Sequence, residues 1–295
     1  MYSIGVDIGG TSLRIGLVDE KFCISDFEKY QVDTILGDSS AEKLADFIKE
    51  YIIRRKVHGQ IGSACIGFPA TVDKKRETVL SAPNLVGFDG INVKKEIGKF
   101  FDFPIYIEKD VNLLLLGDLE RMNISASDIV ACYIGTGLGN AIMINGKLVA
   151  GHNGVAGELG HIPFGDEDFL CGCGNVGCVE TRVGGKYLSQ LVENDFKDTD
   201  VSDIFAAHSE DDKIKRYLDR LARTVASEIN ILDPELLILG GGIPSMKGFP
   251  KEEFASLVLK YTRKPLPADN LKIVFSEGDG DIGVLGAGIF AQKAK

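Results

Sequence analysis

Apolar and polar positions along the chain fall into short runs that read alternately as strand and helix. Near the N-terminus YSIGVDI is a β-rich run, GGTS a turn and LRIGLVD a second run, together a hairpin. Residues 39–55 switch to helical spacing: Leu44, Phe47, Ile48 and Ile52 share one face, and Ser39 with Glu42 has capping-box spacing. IGSACIGF (61–68) reads as a buried strand stopped by Pro69. PIYIEKD (104–110) reads as another strand, running directly into a helix over VNLLLLGDLER.

The pattern then restarts. DIVACYI (128–134), a GTGLG turn and the run NAIMI repeat the opening strand–turn–strand order, which implies two related halves. Ile214, Tyr217, Leu218, Leu221, Val225 and Ile229 mark one face of a long helix ending near Asp233-Pro234. The strand LLIL (236–239) and the glycines 240–242 follow. Alternating strand and helix make the class α/β. The restart places a division near Gly117. An N-terminal α/β domain is expected over 1–117, completed by a C-terminal helix at 282–295, and a larger α/β domain over 118–281.

Composition narrows the function. A chain of 295 residues can fill two domains, and 44% apolar with 26% charged residues is ordinary for a soluble globular protein. A formal net charge of -10 argues against a nucleic-acid partner, which needs a basic face. The start, MYSIGVDIGG, has no basic region and puts Asp7 where a signal peptide needs apolar residues. No run approaches the roughly 18 apolar residues that would span a bilayer. A cytoplasmic chain with reduced thiols is expected, with no membrane partner.

Two matches to G-x-G-x-x-G are set aside: GCGNVG (172–177) lies among cysteines with no strand before it, and GDGDIG (278–283) would need an acidic residue about 20 positions further on, past Lys295. Three other glycine clusters each follow a strand: DIGGTSLR (7–14), GTGLGN (135–140) and GGGIP (240–244). Each alone is explained by a tight turn. Together they point to a nucleotide, because such turns present backbone N–H groups to phosphates and Thr11 and Thr136 add hydroxyls. Asp7 would hold magnesium through water. Asp110, at a strand–helix junction, has two open readings: a helix cap, or a carboxylate able to take a proton from a substrate hydroxyl.

The stretch 157–180 concentrates chemistry. His161, Cys171, Cys173 and Cys178 have the spacing H-x9-C-x-C-x4-C, a complete tetrahedral donor set for zinc, so the metal would be structural. Cys23, Cys65 and Cys132 lie in apolar runs and read as core. Glu158, His161 and Glu180 bracket the loop. With one ring nitrogen on zinc, the other nitrogen of His161 would face a polyol hydroxyl, and the two carboxylates would accept from neighbouring hydroxyls.

DIGGTSLR, Asp110 followed by Asn112, GTGLG, and GELGH with C-x-C-x4-C-x-E together resemble the ROK family of sugar kinases and sugar-responsive repressors, over almost the whole chain. The resemblance implies the actin-like ATPase (ribonuclease H-like) fold: two α/β domains with ATP and sugar in the cleft, often as a homodimer. It makes Asp110 the general base on the sugar 6-hydroxyl. Asn84, Glu158, His161 and Glu180 match sugar-contacting positions, and His161, Cys171, Cys173 and Cys178 match zinc ligands. Asp7, Gly9, Gly10, Thr11 and Arg14 in one loop and Gly135, Thr136, Gly137 and Gly139 in the other match phosphate contacts. Gly241 and Gly242 match the adenosine side.

Two departures bear on specificity. The family usually has Asn before the catalytic Asp, near O3 and O4 of the sugar; here Lys109 stands there, and GFPA replaces Gly-x-Pro-Gly at 67–70. The stretches 67–85 and 154–166 most resemble the bacterial D-allose kinase branch, where a basic residue also precedes the Asp. Allose is the C3 epimer of glucose, so the expected substrate is D-allose and Lys109 an expected sugar contact. The bland alternative for Lys109 is a solvated lysine at a helix start. Glucokinase, N-acetylmannosamine kinase and fructokinase activities remain alternatives. A repressor would carry a DNA-binding module before the Asp7 loop and is disfavoured, and a non-catalytic sugar sensor is less consistent with two phosphate loops and Asp110.

Overall fold

The computed structural model describes residues 1–164, 169–278 and 280–294. They form two compact units: 1–125, 150–156 and 277–295 in the first, 126–149 and 157–276 in the second.

The first unit contains β1 (Tyr2–Ile8), β2 (Ser12–Val18), β3 (Ile24–Gln31), α1 (Ser40–Arg55), β4 (Ile61–Phe68), β5 (Thr71–Val72), β6 (Val79–Ser81), α2 (Val93–Gly98), β7 (Ile105–Lys109) and α3 (Asp110–Arg121). Its main sheet runs β3-β2-β1-β4-β7, with β1–β2 and β2–β3 antiparallel and β1–β4 and β4–β7 parallel. β1 has six consecutive buried residues because both sheet faces are covered. Ile4 and Val6 pack in one core with Leu44, Ile48 and Tyr51 of α1, while Leu113 of α3 joins Cys65 in another. β3, at the sheet edge, keeps only partial burial.

The second unit contains β8 (Ile129–Ile134), β9 (Leu138–Ile144), β10 (Lys147–Leu148), α4 (Glu180–Val183), α5 (Gly185–Asp195), α6 (Ile204–His208), α7 (Asp212–Leu232), β11 (Leu236–Gly240), α8 (Lys251–Tyr261) and β12 (Lys272–Phe275). Its sheet runs β10-β9-β8-β11-β12, with the same directions as the first, so the restart of the hydrophobic pattern corresponds to a repeated topology. The apolar stripe of α7, with Leu218, Leu221, Val225 and Ile229 fully or almost fully buried, packs in one core with Val130, Cys132, Leu237 and Leu239. Asp233 ends α7 by turning into the left-handed region, φ 49°.

α9 (Ile282–Lys293) belongs to the first unit. It is apolar on nearly all sides because it is buried nearly all round, with Leu285 and Ile289 against Val18. A Cβ at Gly286 would stand 1.8 Å from the carbonyl oxygen of Leu113, so backbone-to-backbone packing against α3 requires glycine. Within the second G-x-G-x-x-G match, a Cβ at Gly283 would stand 2.5 Å from Asp7 Cγ, so that glycine serves the packing of α9 on β1.

Several sequence expectations change. Ser39 sits at φ 60° and makes no capping bond, since a side chain reaches the first-turn N–H groups from an extended residue. Instead the Ser40 hydroxyl donates to the carbonyls of Gly37 and Val86, at 2.6 and 3.0 Å. Cys23 is exposed in the β2–β3 turn rather than in a core, whereas Cys65 and Cys132 are buried. α3 runs through Gly117 to Arg121, so a division at 117 would cut a helix. Among the described residues no helix is long and apolar enough to cross a membrane.

Candidate functional site

In the second unit, Cys171 Sγ lies 3.5 Å from His161 Nδ1, and Cys173 Sγ 3.6 Å from Cys178 Sγ. All four donor atoms lie within 4.8 Å of one another. Sulfurs 3.6 Å apart are not disulfide-bonded, since that bond is about 2.05 Å. They match the edges of a tetrahedron whose metal–ligand bonds are about 2.0–2.3 Å. The set therefore fits a zinc-type ion held by four protein ligands. Local backbone builds it: Gly174 donates to the Cys171 carbonyl (2.9 Å), Cys171 to that of Asn175 (2.8 Å), and Gly174 takes φ 92°. Residues 165–168, within the same loop, lie outside the described residues.

The loop leads directly to Glu180, two residues beyond Cys178. Glu180 Oε2 accepts from Leu138 N–H at 2.8 Å, at the start of β9. A Cβ on Gly137 would stand 2.1 Å from the same oxygen, and one on Gly160 3.2 Å away. Glu180 thus joins the Gly-Thr loop to the GELGH segment, which explains glycine at 137 without any ligand. The carbonyls of Gly135 and Thr136 accept from the N–H groups of Gly185 and Lys186, both at 2.9 Å, at the start of α5. Gly139 is not in the turn; it is paired with Tyr133 inside the β8–β9 ladder. Gly241, at φ 95°, and exposed Gly242 follow β11. His161 Nε2 is 3.7 Å from Glu158 Oε2, so the second ring nitrogen faces this carboxylate.

In the first unit, Asp7 and Arg14 are register partners across the β1–β2 hairpin, and Arg14 Nη1 donates to Asp7 Oδ2 at 2.8 Å. Burial pushes the Asp7 carboxyl up from the usual range, and the Arg14 guanidinium opposes that rise. The Arg14 Nε is buried with no partner among the described residues. Gly9 closes the turn by donating to Ser12 O at 2.8 Å, and Gly10 and Thr11 are exposed at its tip. Asn84 is exposed on the segment between β6 and α2.

Asp110 is the first residue of α3, with Lys109 in the cap position, and its Oδ1 accepts from Val111 N–H at 2.8 Å. The carboxylate is half-buried. Lys109 is not a solvated lysine: it is 7% exposed, and its Nζ donates to the Ala156 carbonyl at 3.2 Å. Sequence reasoning passed over its neighbour. Glu108 is 4% exposed, ion-paired with Arg76 Nε at 3.0 Å, and accepts from Asn112 Nδ2 at 2.9 Å. The signal was a second charge, beside Lys109, at the end of the mostly buried strand IYIEK, where burial demands a partner.

The sequence profile of the ROK family matches residues 3–294. The chain belongs to the ROK family. Its ROK relatives include a glucokinase from Thermotoga maritima, 28% identical over 96% of this chain and 95% of that protein. An N-acetylmannosamine kinase from Escherichia coli O157:H7 is 25% identical over the full length of both. A crystal structure of a ROK family glucokinase from Streptomyces griseus, in complex with glucose and AMPPNP, is 26% identical over 99% of this chain and all of that one, with a TM-score of 0.81. The fold of this ROK protein is that of the actin-like ATPases, α/β with two mixed sheets.

Proposed function

We propose that the protein is an ATP-dependent hexose kinase acting on the 6-hydroxyl, with D-allose as its substrate. The observation that carries the kinase reading is full-length similarity to sugar kinases, combined with a half-buried carboxylate, Asp110, at the end of a parallel strand. Asp110 accepts the proton of the 6-hydroxyl as it attacks, a role worth about 10²–10⁴-fold in rate. Asn84, Glu158, His161 and Glu180 bind the sugar hydroxyls. Gly9, Gly10, Thr11 and Arg14, with Gly135 and Thr136, contact the phosphates, Asp7 would hold magnesium through water, and Gly241 and Gly242 contact the adenosine. Magnesium bound with ATP would neutralise charge on the transferring phosphoryl group. Zinc on His161, Cys171, Cys173 and Cys178 braces the loop that carries Glu158 and Glu180.

Allose is supported by Lys109. A buried ammonium next in sequence to Asp110, fixed on Ala156 O, is a placed group, and it stands where the resemblance puts contacts to O3 and O4. A second reading, glucose as substrate, is favoured by the full-length glucokinase relative. ADP release with ATP, magnesium and a hexose panel separates them. The allose reading expects kcat/KM for allose to exceed that for glucose, and Lys109→Asn to shift the ratio toward glucose. A wild-type preference for glucose would discard allose and keep the kinase.

A further inference from the structure

The first unit contains a buried ionic linkage that the assignments above do not use. One oxygen of Glu108 accepts from the Lys109 N–H (2.8 Å) and from Asn112 Nδ2 (2.9 Å), gripping the chain on both sides of Asp110. Its other oxygen takes the Arg76 Nε at 3.0 Å. Arg76 then reaches the segment 150–156, donating from Nη1 to the Gly154 carbonyl at 2.9 Å. Gly154 itself is pressed on the backbone of the β5–β6 turn: at φ 87°, a Cβ there would stand 2.8 Å from Lys74 N. Lys109 Nζ completes the ring on Ala156 O.

We propose that Glu108 and Arg76 are a positioning pair: they lock the start of α3, and so the direction of Asp110, to the 150–156 strap. The inference rests on the reading of Asp110 as the base. Neither residue touches substrate. Glu108 sets where the strand ends and the helix begins, and Arg76 carries that setting to the strap through one planar guanidinium, a two-point link that lysine cannot reproduce. A base displaced by about 1 Å can lose about 10²-fold in rate with little change in ground-state binding.

A charge-neutral double substitution separates positioning from plain stability. Glu108→Gln and Arg76→Gln alone each leave a buried charge unpaired and should lower Tm. Combined, they remove both charges, and Tm should recover most of the loss. If the pair positions Asp110, kcat stays about 10- to 100-fold down in the double variant, with KM for sugar within about threefold of wild type. Recovery of kcat together with Tm would overturn the proposal. Amide exchange supplies a readout independent of turnover: the Lys109 and Ala156 N–H groups should exchange faster in the double variant. Should the wild type release no hexose-dependent ADP, the kinase reading fails, and exchange alone decides the pair. Unchanged protection at both amides would then overturn the linkage.

Discussion

Replacing Glu228 by Gln should remove a defined part of the pH dependence of stability. Glu228 lies on α7, 7% exposed, and its Oε2 accepts from Asn140 Nδ2 at 2.8 Å. Burial is the dominant influence on its carboxyl, and the Asn140 amide opposes it; the outcome is a rise from 4.5 to about 7. The folded chain therefore holds this proton more tightly than the unfolded chain. The associated stability is complete below about pH 4.5 and is lost as pH rises toward 7, with no further change above. The difference between the two values corresponds to about 3 kcal/mol. Gln keeps the shape and an oxygen for Asn140 without a charge to desolvate. Urea unfolding of both proteins between pH 5 and 8 gives the difference directly, since the other titrating groups contribute to both. The variant should match wild type near pH 5 and exceed it by up to about 3 kcal/mol at pH 8. Parallel stability curves would refute the assignment of a raised Glu228.

Two further outcomes follow from the second unit. Elemental analysis should find one zinc per chain, and Cys171→Ser should lose it together with protease resistance of the 157–180 loop; a metal-free chain of unchanged resistance would contradict the tetrahedral reading. Gly137→Ala places a methyl 2.1 Å from Glu180 Oε2, which must move, so stability should fall by about 1–3 kcal/mol and sugar affinity with it. An alanine variant with wild-type affinity would show that Glu180 plays no part in sugar binding.

Those contacts also show which features local pattern could reveal. The α7 stripe was legible because a long amphipathic helix repeats its apolar face six times between Ile214 and Ile229, all buried. The zinc-type cluster was legible because three of its donors fall within eight residues, and geometry closes it with His161. Features that depend on distant partners were not. The capping spacing of Ser39 and Glu42 is real, but the chain enters α1 in a left-handed conformation, tied through Ser40 to Val86, 46 residues away. Glycine at 137 suggested a phosphate turn, yet its Cα faces a carboxylate 43 positions on. The salt bridge from Arg76 to Glu108 spans 32 residues: the charge within IYIEK signals that a partner is needed, but nothing local says which residue it is. Lys109 was expected to contact sugar, with a solvated lysine as the bland alternative; its burial could not be read locally, because the carbonyl that holds it comes from Ala156, 47 residues on.

The proposed kinase turns on Asp110 directing phosphoryl transfer to the 6-hydroxyl of a hexose. Its most direct test is phosphorus NMR of the product formed from allose or glucose with ATP and magnesium, by wild type and by Asp110→Asn. A phosphate resonance split by the two protons on C6 is expected, formed about 10²–10⁴-fold more slowly by the variant while sugar binding persists. Phosphate on another carbon, or Asp110→Asn turning over at the wild-type rate, would contradict it.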